Sequence, residues 1–170
     1  MNTETNISPE LFVKMVLTAW QLQNTRANEL MDQLSDEDLM KETAPGRNTG
    51  IYLFGHLAAV NDGICTILGL GERLHPELDE TFVDNPDKSG RQMPPIETLK
   101  QYWKEINAAL TNKFNAMQPG DWFQKHNSIS EEDFAKEPHR NKLNVIITRT
   151  IHQGYHLGQM AYLKSPTPKG

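Results

Sequence analysis

Two histidines four residues apart, His152 and His156, are the side chains in this sequence best spaced for shared chemistry. An α-helix turns by about 100° per residue, so such a pair lies on one face with Cβ atoms roughly 5–6 Å apart. Zinc and neighbouring divalent ions bind imidazole nitrogens at about 2.0–2.1 Å, which this spacing allows. A protein metal site needs at least a third donor, and His56, inside an apolar helical stretch, is the candidate.

Each histidine also has a simpler interpretation. A pair at this spacing arises by chance, and a single histidine on an apolar helix face can be a core residue bonded to a carbonyl. Three imidazoles among apolar residues would leave several polar nitrogens to satisfy, whereas one shared ion satisfies a nitrogen on each ring. We interpret the remaining histidines as loop residues and not ligands, because their neighbours are rich in Pro, Asp, Glu and Asn: His75, His126 and His139.

Three histidine ligands leave coordination positions open, which is typical of a catalytic metal site. A low-molecular-weight thiol bound there would be favoured as the thiolate and could attack an electrophile. A bound water would instead favour hydrolysis of an ester or amide. The residues do not choose between these reactions, and no catalytic acid or base is evident in the helical stripes.

Three further residues are predicted to line the pocket or to support the ligands. Gln159 follows His156 by three residues, so it either orients a substrate or holds a histidine ring. Thr49 and Tyr52 project from the His56 face one to two turns earlier. Core packing is the alternative role for Tyr52.

Composition limits the classes of protein to consider. The 170 residues fit one domain, and a net charge of −5 argues against a nucleic-acid-binding surface. We find no apolar run approaching the roughly 18–20 residues that span a bilayer, and the first residues lack the features of a signal peptide. These observations predict a soluble, cytoplasmic protein without a membrane partner. The single cysteine, Cys65, excludes an internal disulfide and is predicted to be a buried structural thiol.

Hydrophobic periodicity predicts an all-α fold, because four long segments repeat at helical spacing and none alternates like a strand. The predicted helices cover about residues 8–34, 49–68, 95–117 and 141–163, the last closed by Ser165-Pro166. A short extra turn is predicted at Ser35. The inward stripe predicted for the first helix comprises Leu11, Met15, Ala19, Leu22, Leu30 and Leu34.

Helices of this length can lie side by side, which predicts a four-helix bundle. Residues 71–94 form the longest irregular stretch, a crossover between the second and third helices, and a second polar loop covers about 121–140. His56 reaches His152 and His156 only if the second and fourth helices are neighbours.

Two motifs resemble those of the DinB-like proteins, also called the DinB/YfiT group, a family discussed as metalloenzymes. Residues 50–57, Gly-Ile-Tyr-Leu-Phe-Gly-His-Leu, resemble its first motif, and residues 152–159 match its C-terminal H-x-x-x-H-x-G-Q motif without a departure. The resemblance spans nearly the whole chain. It implies a four-helix bundle with a long crossover, a homodimer, and a divalent metal, nickel or zinc, held by His56, His152 and His156.

The same resemblance implies a range of functions. Characterised members include bacillithiol transferases and a mycothiol-dependent maleylpyruvate isomerase, so a thiol-dependent S-transferase acting on a small-molecule substrate is our leading hypothesis. A metal-assisted hydrolase is one alternative. A non-catalytic metal-binding protein for stress response or ligand sensing is the other.

Overall fold

The computed structural model describes residues 8–164, which form helices joined by loops. Within that range no strand forms, and pairing between extended residues is limited to the isolated bridges Glu42–Thr49 and Lys125–Asn141. The all-α prediction is confirmed. The helices are α1 Pro9–Gln33, α2 Asp36–Leu39, α3 Gly50–Asp62, α4 Ile64–Leu68, α5 Leu78–Phe82, α6 Ile96–Ala116, α7 Glu131–Lys136 and α8 Lys142–Met160, with 3-10 helices at Pro119–Phe123 and Ala161–Leu163.

Side-chain capping bonds confirm four of the predicted helix starts, and α6 begins after Pro95 without such a bond. The hydroxyls of Ser8, Ser35 and Thr49 accept from backbone N–H groups three residues on, and the Asn141 side chain caps α8 in the same way. The second predicted helix is interrupted at Gly63, which separates α3 from α4. The predicted closure at Ser165-Pro166 lies outside the described residues.

The predicted inward face of α1 is wrong. Leu11, Met15, Ala19 and Leu22 are exposed, and only Leu34 of the predicted stripe is fully buried. The helix instead buries a stripe near seven-residue spacing, consisting of Val13, Trp20, Ala27 and Met31. Apolar residues occur on both sides of this helix, so periodicity alone did not identify the face that packs.

Both predicted irregular stretches contain helical turns. The crossover at 71–94 includes α5, and the loop at 121–140 includes α7 and part of a 3-10 helix whose Trp122 is buried. Neither α5 nor α7 exceeds six residues, which is too short to produce a recognisable apolar period. For α6 the helical spacing predicts an inward stripe of Leu99, Trp103, Ile106, Leu110 and Met117; the first four are buried, but Phe114, and not Met117, completes the buried stripe.

Helix α3 packs against α5, α6 and α8, and α8 also packs against α1. This central position explains the composition of Gly50–Leu68, which by length and apolar character could cross a membrane. The expectation that no apolar run approaches the length of a bilayer span is therefore wrong for this segment. In the fold, 72% of its apolar window is buried inside the protein, as in the core helix of a soluble protein.

Four amide side chains form a partly buried cluster that we call the amide network: Asn24, Asn61, Asn107 and Gln153, from α1, α3, α6 and α8 respectively. Gln153 donates to Oδ1 of Asn24 at 2.9 Å. Asn61 donates to Oδ1 of Asn107 at 3.1 Å and to Oε1 of Gln153 at 3.4 Å. Gln153 and Asn61 are almost fully buried, so these bonds replace the hydration that both amides lose.

Cys65 lies on α4 with 2% of its surface exposed, which confirms the prediction of a buried thiol. Burial raises the pKa of the Cys65 thiol above its ordinary value. A thiol with this environment is a poor nucleophile at neutral pH.

Candidate metal centre

Three imidazoles converge between α3 and α8. The Nε2 atoms of His56 and His152 are 3.3 Å apart, and those of His152 and His156 are 3.0 Å apart. All three candidate ligand atoms lie within 4.8 Å of one another. In the described part of the chain, this is the group of His, Cys, Asp or Glu side chains that is close enough to hold a metal ion.

The outer nitrogens fix the tautomers of two rings. The Nδ1–H of His56 donates to the carbonyl oxygen of Phe82 at 2.7 Å, since a carbonyl can only accept. The Nδ1–H of His156 donates to Oε1 of Gln159, also at 2.7 Å. A neutral imidazole carries one N–H, so Nε2 of His56 and of His156 each present a lone pair toward the centre.

The three rings offer more lone pairs than N–H donors at their centre, which is why the centre suits a cation. Nε2 of His152 faces the lone pairs of both His56 and His156, and a single N–H can donate fully to only one of them. A cation accepts all three lone pairs. Ligands at about 2.0–2.1 Å from one ion, separated by angles near 90–110°, lie about 2.9–3.4 Å apart, which matches the two measured separations.

Burial keeps His152 and His156 neutral. The pKa of His152 is lowered to about 4, mainly by burial and further by the neighbouring His156, His56 and Arg149. Burial is also the main cause of a lowered pKa at His156. Neutral imidazoles are the form that binds metals, so these two ligands need no deprotonation near pH 7.

The crossover holds His56 from outside the ligand pair. The ring of Tyr52 is nearly parallel to that of His56, with an interplanar angle of 7° and centroids 6.5 Å apart. The Tyr52 hydroxyl donates to the carbonyl oxygen of Asn85 at 2.7 Å. Tyr52 is buried, which agrees with the packing alternative considered from sequence.

Thr49 is positioned as a helix cap. Its hydroxyl accepts from the backbone N–H of Tyr52 at 3.4 Å and donates to Oδ2 of Asp87 at 2.9 Å. The backbone N–H of Thr49 donates to the same carboxylate oxygen at 2.7 Å. These contacts tie the start of α3 to the crossover. The pocket role of Thr49 stays a prediction.

Two residues that the sequence analysis missed bring α5 against the ligand helix. Phe82, at the end of α5, supplies the carbonyl that binds His56. A Cβ atom added to Gly55 would overlap the ring of Phe82, so α3 requires glycine there for the close approach. A carbonyl partner has no side-chain signature, but Gly55 next to His56 was a visible signal of close packing.

A buried ion-pair cluster fixes the beginning of the crossover. Arg73 donates to Oδ2 of Asp62 at 3.2 Å and to Oδ1 of Asp79 at 2.7 Å. Asp62 also accepts from the backbone N–H groups of Leu74 and His75, both at 2.9 Å. Since Asp62 belongs to α3 and Asp79 to α5, this cluster holds the two helices together near the histidines.

Gln159 contacts both the centre and a surface cavity. Besides accepting from His156, it lines a cavity of about 650 Å³ together with Thr43, Ala44, Arg47, Tyr155, Gly158 and Tyr162. The three histidines are themselves partly exposed, so solvent reaches the centre. Both sequence interpretations of Gln159, as ring support and as pocket residue, therefore have a structural basis.

The other histidines lie outside the centre, as predicted. His75 stacks on Tyr102 with centroids 3.7 Å apart and contacts Glu77 and Glu105 through its two nitrogens. His126 accepts from the backbone N–H of Ser128. All three of the remaining histidines, His75, His126 and His139, are in loops or turns.

The comparisons with known proteins agree with the resemblance seen in the motifs. The family model of the DinB superfamily matches residues 19–160, a range that contains all three converging histidines and the amide network. No curated protein matches the chain in sequence. Because the matched range is most of the chain, this protein belongs to the DinB superfamily.

Proposed function

We propose that His56, His152 and His156 bind one divalent cation, nickel or zinc, and that the protein is a metal-dependent thiol S-transferase. The observation that carries this proposal is the convergence of three Nε2 atoms at spacings that suit a shared ion. Membership of the DinB superfamily supports it. When bound, the cation would lower the pKa of a coordinated thiol and favour the thiolate.

The groups around the centre orient the histidine rings and leave room for an exchangeable ligand. The described residues offer three candidate protein donors there, all neutral, which supports a site with open coordination positions. The Phe82 carbonyl and Gln159 hold two rings in orientation from behind. Gln159 and the adjacent cavity form the proposed substrate pocket, and Thr49 and Tyr52 support it through α3 and the crossover.

The same centre could instead serve as a metal-assisted hydrolase, with water in place of the thiol. A non-catalytic stress-response or ligand-sensing protein would be favoured by a fourth protein ligand that closes the site. The described residues place no fourth His, Cys, Asp or Glu donor in the cluster, which supports the enzymatic alternatives.

We further propose that residues 1–170 form one four-helix-bundle domain, with α1, α3–α4, α6 and α8 as its long helices and a crossover before α6. The contacts of α3 with α6 and α8, and of α8 with α1, support this arrangement. We propose a soluble, cytoplasmic homodimer. Exposed apolar residues spaced by four on α8 support a protein contact there: Ile147, Ile151 and Tyr155.

The test of the function joins metal analysis to a reaction screen. Purified protein is analysed for bound metals, loaded with nickel or zinc, and assayed with small thiols against electrophiles and, separately, with esters and amides. We expect one bound ion per chain and metal-dependent loss of free thiol. Hydrolysis without thiol consumption would support the hydrolase alternative, and protein that binds neither metal would refute the proposal.

A further inference from the structure

Arg149 lies on the ligand face of α8 but has no part in holding the ligands. It precedes His152 by three residues and His156 by seven, so all three occupy one side of the helix. Arg149 is only partly exposed. The helical register therefore places Arg149 about one turn from His152, at the edge of the centre.

The guanidinium of Arg149 has no partner in residues 8–164. Neither an ion pair nor a hydrogen bond joins it to another described side chain or carbonyl, and burial alone lowers its pKa. A shielded charge without a counterion costs free energy. Such a charge is expected where a ligand supplies the missing anion.

Arg73, another partly buried arginine, has carboxylate partners. Arg73 is paired with both Asp62 and Asp79, and these hydrogen bonds raise its pKa above the ordinary value. The chain carries 22 acidic residues against 17 lysines and arginines, so carboxylates are plentiful. The absence of one beside Arg149, among the residues described, is therefore a local property of the metal centre.

Among the described residues, the histidine cluster itself contains no carboxylate. Arg149 adds a positive charge on the same side of α8. A divalent ion held by neutral ligands would keep its full charge. Together with Arg149, the centre would carry three positive charges and would attract anions strongly.

We propose that Arg149 binds an anionic oxygen group of the substrate while a second donor atom of the same molecule occupies the metal centre. This inference rests on the proposed function and specifies its substrate class. Three residues correspond to about 4.5 Å of helix rise, so the anionic group and the donor atom are separated by only a few bonds. A small thiol that bears a carboxylate, or a tetrahedral oxyanion of similar size, fits this description.

The test uses protein loaded with cobalt, whose thiolate absorption band reports binding without any reaction. Three thiols of similar size are titrated: 2-mercaptoethanol, 3-mercaptopropionate and 2-mercaptoethanesulfonate. Wild-type protein is expected to bind at least one anionic thiol about tenfold or more tighter than the neutral thiol, because hydrogen bonds between charged groups are strong. Tighter binding of 3-mercaptopropionate would indicate a site for a planar carboxylate, and tighter binding of 2-mercaptoethanesulfonate would indicate a site for a tetrahedral oxyanion.

Two substitutions at Arg149 and one elsewhere complete the design. Arg149→Gln should abolish the preference for anionic thiols while retaining cobalt, and Arg149→Lys should keep part of it, since lysine retains charge but not the guanidinium fork. Arg140→Gln removes a partly exposed arginine that is paired with Glu137, outside the metal centre, and should leave the preference unchanged. Circular dichroism of each variant confirms its fold.

The outcomes separate this inference from the proposed function. Equal affinities of wild-type protein for the three thiols, or an unchanged preference in Arg149→Gln, would refute the role of Arg149 and leave the thiol site in place. Failure of the wild-type protein to bind cobalt would refute the metal centre itself. Bound cobalt that responds to none of the thiols would refute both the thiol function and this inference.

Discussion

Adjacent residues on α8 belong to two polar clusters of opposite character. Gln153 joins the amide network, in which each contact pairs an N–H donor with a C=O acceptor. His152 faces two other imidazole nitrogens, and both are acceptors. The donors and acceptors of the amide network are therefore matched to one another, whereas the histidine centre has an excess of acceptors that a cation could satisfy. Buried polar groups can specify a fold or a ligand, and the balance of donors and acceptors distinguishes the two roles.

The largest expected effect is loss of metal binding in His156→Ala. Removal of one of three ligands should weaken metal affinity by more than about 100-fold, because the remaining two donors hold an ion poorly. Helical content should be largely retained, since the apolar core and not the ion supplies most of the folding free energy. Elemental analysis beside circular dichroism measures both.

His126→Ala is the matched control for that experiment, because His126 lies in a loop away from the centre. Its metal content should equal that of the wild-type protein. Undiminished metal in His156→Ala would contradict the assignment of the ligand.

The complementary change is Gln153→Leu, which breaks the amide network. It leaves Oδ1 of Asn24 and one N–H of Asn61 without their partner, so the free energy of unfolding should fall by about 2–4 kcal/mol. The folded fraction should still bind metal. Urea denaturation measures the stability, and Gln101→Leu, at an exposed position on α6, serves as the control with a change under about 0.5 kcal/mol.

Gly55→Ala tests the contact that holds the outer side of the histidine centre. The added methyl group would meet the buried Phe82 ring, so we expect a loss of about 1–3 kcal/mol in the free energy of unfolding and weaker metal binding. Gly158→Ala is a matched change on α8, where the new Cβ meets nothing within 4 Å. There we expect a gain of about 0.5–1 kcal/mol from helix propensity. Similar stability of the two variants would exclude the proposed close approach.

Acid should destabilise the metal-free protein through the histidine centre and not through the amide network. The pKa of His152 is lowered from its ordinary 6.5 to about 4 in the folded state. Between these values the unfolded state binds more protons, so stability falls as pH decreases from about 6.5 to about 4. We expect His152→Gln to flatten this dependence by about 1–2 kcal/mol, and Gln153→Leu to leave it unchanged. Thermal unfolding across the pH range in the presence of chelator measures the slopes.

The smallest expected effect is a gain in stability for metal-free Arg149→Gln. Removing a shielded charge that lacks a partner should raise the free energy of unfolding by about 0.5–1 kcal/mol. Arg140→Gln should instead change it by no more than about 0.5 kcal/mol, because its ion pair is exposed. A marked loss of stability in Arg149→Gln would mean that this side chain has a structural role.

Sequence predicted the ends and types of the long helices well, because capping residues and apolar spacing are local signals. Helix geometry alone predicted that His152 and His156 lie on one face, and the apolar helical stretch around His56 made it the third candidate, which the resemblance then supported. The prediction of the inward face of α1 was wrong because Leu11 and Met15 match the helical period as well as Val13 and Trp20 do. Only contacts with other helices decide between such faces.

The supports of the centre were harder to predict. The carbonyl of Phe82 belongs to a five-residue helix with no periodic signature, and the Arg73 cluster joins residues that are brought together only by the crossover. The amide network likewise depends on four helices at once. Long-range polar contacts of this kind follow from the packed fold and leave little trace in local sequence.

The position of Cys65 has a practical consequence for a protein proposed to handle small thiols. The sole sulfhydryl of the chain is shielded in the core with a raised pKa, so it does not compete with external thiols for electrophiles and does not trap the protein in mixed disulfides. Thiol-selective alkylating reagents can therefore be used in assays as acceptors or quenchers while Cys65 of the native protein stays unmodified.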